Sequence, residues 1–239
     1  ATTILVGYSN PRTKDYGTVR FSNGLTGPSL KIRGTGGTDI DRADITIGYA
    51  GAGSAYNYGS GLLDLTTGVT SSMLDARVGT LTLGNLVSNN GGSGAAGTFL
   101  MGSGTLDVTS MLVGRSSASS CGTGVFTLSD AGGTVKAWTM TFGEQTAGTV
   151  TGTFNLNSGE VRARAIQSGA GTATRTFNWN NGFIGTYDIA TDLTIGSGIT
   201  FALSAAGTHT FDIDPGRLCT MNSALSGTAG TLRKIGAGT

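Results

Sequence analysis

Apolar and polar residues alternate along this chain in short runs of four to seven, seen at residues 105–108, 125–128, 134–138 and 161–165. Alternation at period two sends successive side chains to opposite faces of an extended strand. Gly, Asn or Ser bounds each run, and these residues form turns. The i, i+3, i+4, i+7 spacing of an amphipathic helix is interrupted by glycine in nearly every window, at roughly 1 kcal/mol for each glycine in a helix interior. The pattern predicts an all-β chain of many short strands.

Two ladders of motifs run through the alternation. The first is an apolar-x-apolar-Gly tag that closes at Gly7, Gly48, Gly84, Gly114, Gly143 and Gly196, with degenerate copies at Gly169 and Gly227. The second is an apolar-x-apolar pair, usually opened by phenylalanine: Val19/Phe21, Leu63/Leu65, Phe99/Met101, Phe126/Leu128, Phe154/Leu156, Phe177/Trp179 and Phe211/Ile213. A third short strand leads into the next tag. Three strands and three turns in about 30 residues describe one coil of a parallel β-helix, with equivalent residues of successive coils stacked about 4.8 Å apart. The expectation is one right-handed β-solenoid domain over residues 1–239, of about seven to eight coils. Phe99, Phe126, Phe154, Phe177 and Phe211 should form an interior column, with Met101, Leu128, Leu156, Trp179 and Ile213 beside them. The same register places Asn155, Asn157, Asn178, Asn180, Asp212 and Asp214 together on an outward face. Thr46, Thr82, Thr141 and Thr194 form a second outward column, broken by Leu112 and Gln167.

Composition agrees with that architecture and excludes others. The chain holds 42 glycines, 38 threonines and 3 prolines in 239 residues, with a net charge of +1. Corners that need φ > 0 select glycine, and outward positions accept threonine. Collagen is excluded, because glycine does not recur at every third residue. No apolar run is long enough to cross a membrane as a helix. The sparse, balanced charge gives no basic patch for nucleic acid.

The final residues, Leu232-Arg-Lys-Ile-Gly-Ala-Gly-Thr239, and the Gly-Thr-Leu-Thr-Leu-Gly stretch at 79–84 resemble the autotransporter-associated β-strand repeat of secreted bacterial β-helix proteins. The resemblance implies export to the bacterial cell surface and a structural or adhesive role. It also implies either a segment of a longer surface protein or a unit whose ends join.

Candidate chemistry is sparse. His209 is the only histidine, which excludes a Ser-His-Asp triad or a multi-histidine metal site, and it is expected in a loop or at a strand edge. Cys121 and Cys219 fall about three coils apart, roughly 14 Å, beyond the 7 Å span of a disulfide. Asp212 and Asp214 are the paired carboxylates a polysaccharide-cleaving β-helix would use, but no second charged cluster is expected beside them. Asp39, Asp41 and Asp44 are the only calcium candidates, without the spacing of an EF-hand. Arg162 and Arg164 are expected outward on a polar strand, with Arg175 near the same coil. No catalytic residue and no cofactor is expected. The favoured function is an extracellular rod that stacks end to end. A glycan-binding module or a polysaccharide-degrading enzyme is the alternative.

Overall fold

A computed structural model describes residues 2–9, 14–51, 58–87, 94–204, 206–227 and 230–239. Among these residues the chain is all-β, without helices. The strands begin with β1 (Thr3–Ser9), β2 (Lys14–Arg20), β3 (Ser29–Ile32), β4 (Ala43–Ala50), β5 (Tyr58–Asp64), β6 (Met73–Leu86) and β7 (Gly94–Met101). Next come β8 (Ser103–Ser116), β9 (Cys121–Leu128), β10 (Gly133–Gln145), β11 (Thr149–Leu156), β12 (Glu160–Ser168), β13 (Thr174–Trp179) and β14 (Gly182–Thr186). The last are β15 (Leu193–Ile195), β16 (Thr200–Leu203), β17 (Thr208–Asp212), β18 (Cys219–Met221), β19 (Leu225–Gly227) and β20 (Thr231–Ile235).

These strands form two sheets, and every pairing in them is parallel. The 12-stranded sheet runs β1-β4-β6-β8-β10-β12-β14-β17-β20, with β3 beside β6, β15 beside β12 and β18 beside β15. The 8-stranded sheet runs β19-β16-β13-β11-β9-β7-β5-β2. From β4 to β14 the chain alternates strictly between the two sheets. Parallel neighbours cannot be joined by tight hairpins, so each return must cross the other sheet. The long strands serve as two shorter ones in series: β3 lies beside Met73–Ala76 of β6, while β4 lies beside its remainder.

The main hydrophobic core lies between the sheets. The large sheet contributes residues such as Leu81, Met111, Met140 and Ile166, and the small sheet contributes its phenylalanines. Phe99, Phe126, Phe154 and Phe177 sit opposite one another in register, fully buried. Their ring centroids are 4.9, 4.9 and 5.0 Å apart in turn. Met101, Leu128, Leu156 and Trp179 line up beside them. Phe201 continues the column, 4.7 Å from Phe177; Phe211 does not. Phe211 instead belongs to β17 of the large sheet, opposite Ile184 and Lys234, and packs edge-on against Trp179. Ile213 is buried just beyond β17 and likewise lies outside the column.

Two lines of glycine bring the sheets into backbone contact. Gly48 and Gly84 of the tags have φ of +70° and +66°, and a Cβ on them would fall about 2 Å from the carbonyl oxygens of Ala96 and Thr123. Facing them is a line outside both motif ladders: Gly17, Gly61, Gly97, Gly124 and Gly152, in consecutive register on the small sheet. A Cβ on Gly97 would meet the Ile47 carbonyl oxygen at 2.0 Å. Only glycine allows this approach. Arg175 takes the next place in the line, opposite Gly152. Its guanidinium donates to the carbonyls of Phe142, Gly143, Gly169 and Gly171.

The tag ladder itself is shorter than its motifs suggest. Ile195 lies opposite Ile166, which sets Gly196 against Gln167, and Gly227 belongs to β19 of the small sheet.

Candidate functional site

The outer face of the large sheet carries clustered charged and aromatic side chains. In β10, β12, β14, β17 and β20, Thr134, Glu160, Phe183, Thr210 and Arg233 form one line across the strands. Lys136, Arg162, Gly185 and Asp212 form the next line. Inward residues between them, such as Val161, Ala163 and Ile184, are fully buried and fix which side chains point out.

Arg162 organises this face. It contacts Glu160 of its own strand at 2.8 Å, Asp212 at 2.8 Å and Asp214 at 3.4 Å. Asp212 is two strands away, with Gly185 of β14 between them in the register. Asp214 also accepts a 2.6 Å hydrogen bond from the buried Thr186 hydroxyl. Burial pushes the Glu160 carboxyl above its ordinary range, an effect the Arg162 charge opposes and Asp212 reinforces.

A second cluster lies on the same line of residues, on the other side of β10, where Asp107 is opposite both Arg77 and Lys136. Asp107, only 3% exposed, accepts hydrogen bonds from Arg42 at 2.9 Å and from Arg77. Tyr187 leans over this cluster, and burial, followed by the Asp107 charge, raises its phenol. The Lys136 ammonium sits 4.4 Å from the Tyr187 ring centre, and the Arg164 guanidinium 4.9 Å from that of Trp138. The two rings meet edge to face at 5.4 Å. These are cation–π pairings built on aromatic faces that would otherwise lie open.

Phe183 is 41% exposed on the same face. A groove of about 410 Å³, lined by Thr134, Glu160, Arg162 and Asp212, lies on one side of its ring. A second groove of about 290 Å³, lined by Asn181, Thr208, Thr210 and Arg233, lies on the other.

The expected ligand face divides. Asn155 and Asn178 sit on the small sheet and hydrogen-bond at 2.8 Å, and Asn157 and Asn180 do so at 2.7 Å. Asp212 and Asp214 do not join them, because β17 belongs to the large sheet; there they meet Arg162, forming the second charged cluster that the spacing had not predicted. Thr46, Thr82 and Thr141 share a line with Leu112, but Thr194 lies opposite Ala165, two residues off that line.

His209 is fully buried in β17 rather than in a loop. Its ring packs edge-on against Trp179, with Nδ1 3.2 Å from the Thr231 carbonyl and Nε2 without a partner among the described residues. Cys121 is exposed on the small sheet and Cys219 half-buried on the large one, both as free thiols; burial pushes Cys219 up to about 11. The three aspartates of the calcium candidate turn to different partners: Asp39 to Arg33 and Lys31, Asp41 to Thr38, and Asp44 to the Thr80 amide. Among the described residues no group of three or more His, Cys, Asp or Glu could hold a metal ion.

Comparison with protein-family models, with curated proteins and with solved structures finds no match. The functional reading rests on this chain alone.

Proposed function

We propose that the chain winds as a right-handed parallel β-helix of about seven to eight coils and serves as a rigid extracellular rod on the bacterial surface, extended end to end. The strand order supports the winding: strands alternate between two all-parallel sheets, each bonded to the strand one repeat before and one repeat after. Crossover connections between parallel strands are right-handed in nearly all proteins.

The observation that carries the rod reading is the state of the end formed by β1, β2 and β3. Each pairs on one edge only among the described residues, and behind them opens an apolar cavity of about 260 Å³ lined by Ile4, Val6, Val19, Leu30 and Ile32. Unpaired strand edges beside an open apolar cavity are a template for more strands of the same kind. A second copy offering its β18, β19 and β20 edge would extend both sheets. Head-to-tail contact of that type is heterologous and propagates into a filament.

Electron microscopy and sedimentation velocity test the reading. Single-rod-width filaments that lengthen with concentration are expected, and Val19→Asp at the cavity rim should abolish them while leaving the β-sheet circular dichroism intact. Monodisperse monomer across the concentration range overturns it.

A further inference from the structure

We propose that the outer face of the large sheet around Phe183 is a binding site for an uncharged polysaccharide. The site lies on the flank, so it goes beyond the end-to-end reading and can stand if that reading fails.

The first support is the position of Phe183. Its outward place in β14 is flanked in register by Glu160 and Thr210, so an apolar ring stands among polar neighbours with nearly half its surface in water. A phenylalanine facing outward there contributes nothing to the core, and an exposed ring between two grooves is a platform for another flat apolar surface. The C–H face of a pyranose ring is such a surface.

The second support is the chemistry of the two grooves. On one side the carboxylates of Glu160 and Asp212 accept and the Arg162 guanidinium donates. On the other, the Asn181 amide and the exposed Thr208 hydroxyl both donate and accept, and the Arg233 guanidinium donates. Sugar hydroxyls need both roles at once, and a concave site with a few convergent polar groups around an apolar surface is the usual form of a ligand site. A chain crossing from one groove to the other would lay one ring on Phe183 and set its neighbours among these groups.

The third support decides the charge of the ligand. In the larger groove two carboxylates face one guanidinium, and that guanidinium is also engaged by Asp214. That groove's residual negative charge disfavours uronate or sulfate groups. With only Arg233 added in the second groove, the site as a whole has no positive excess to hold an anionic chain, which favours neutral sugars.

The test is affinity electrophoresis of the whole chain in native gels containing hydroxyethylcellulose, galactomannan or xylan, with polygalacturonate as the anionic arm. At least one neutral polysaccharide should retard the protein. Phe183→Ala should weaken that retardation about tenfold or more, the equivalent of 1.4 kcal/mol. Phe183→Trp should preserve it, and Ile189→Ala, exposed elsewhere on the surface, should not alter it. Circular dichroism confirms that each variant is folded. Lack of retardation in all three neutral gels, retardation by polygalacturonate alone, or retardation unaffected by Phe183→Ala overturns the proposal.

Discussion

Phe154→Ala probes the interior column at its centre. The Phe154 side chain is fully buried and stacks on Phe126 at 4.9 Å with an interplanar angle of 9°, and on Phe177 at 5.0 Å with 13°. Truncating a buried phenylalanine costs about 3–5 kcal/mol from lost transfer energy and the cavity left behind. Each aromatic pairing contributes about 0.5–1.5 kcal/mol beyond burial, and the substitution removes two. Relaxation can recover little. The strands on either side are held to β11 by backbone hydrogen bonds, so the neighbouring rings cannot close the gap. The expected loss therefore lies toward the upper end of the range, about 4–5 kcal/mol. Urea denaturation followed by circular dichroism measures it, and Phe154→Leu, which keeps most of the volume, should cost far less. A loss below about 1 kcal/mol would show that the column is not a closed core. The same assay checks the register: Phe201→Ala should cost more than Phe211→Ala, because Phe201 is buried in the column while Phe211 is only half-buried.

Two further outcomes follow from the seam and from the charged face. Gly124→Ala places a Cβ 2.3 Å from the Gly114 amide nitrogen, where only backbone can yield, and should lower the thermal midpoint far more than Gly216→Ala, whose Cβ meets nothing within 4 Å and bears only the strain of φ +72°; equal losses would refute the backbone contact. Burial raises the Glu160 carboxyl, so the folded state binds its proton more tightly than the unfolded chain does, and the associated stability is present in acid and lost as pH rises through the folded value. Glu160→Gln removes this dependence, so the melting temperature of the variant relative to the parent should rise between about pH 4 and pH 7; a constant or falling difference contradicts the assignment.

The architecture was legible where side-chain type and spacing both repeat. Phe99, Phe126, Phe154 and Phe177 recur with an apolar partner two residues on, and the structure stacks them. The reading failed where two segments share a motif. Phe201-Ala-Leu203 and Phe211-Asp-Ile213 have the same form, and only pairing with Phe177 tells which strand belongs to the small sheet. The glycine two residues before three of the phenylalanines, in Gly97-Thr-Phe99, Gly124-Val-Phe126 and Gly152-Thr-Phe154, marks the small sheet only in part. Phe211 lacks it, but so does Phe201, and in Phe177 the place is taken by Arg175. The outer face was less legible still. Arg162 and Asp212 lie 50 residues apart and meet across β14, a strand order that alternation within a single strand cannot reveal. His209 misled for a related reason: a polar residue at a strand entry reads as exposed, yet in β17 it alternates with Phe211 and shares its inward direction.

The parallel register also makes molecular length adjustable in fixed steps. Val113 faces Phe142 and Arg115 faces Glu144, so Gly114 and Gly143 hold equivalent places one repeat apart. Excision of residues 115–143 would splice Gly114 to Glu144 and leave β7 facing β11, with glycine on glycine and Phe99 on Phe154, the same kinds of neighbour each has now. Duplication of the segment would insert one more copy of the same contacts. A gene for such a chain can gain or lose whole repeats by recombination without a new core having to be invented, and the number of strands in each sheet becomes a trait set by copy number.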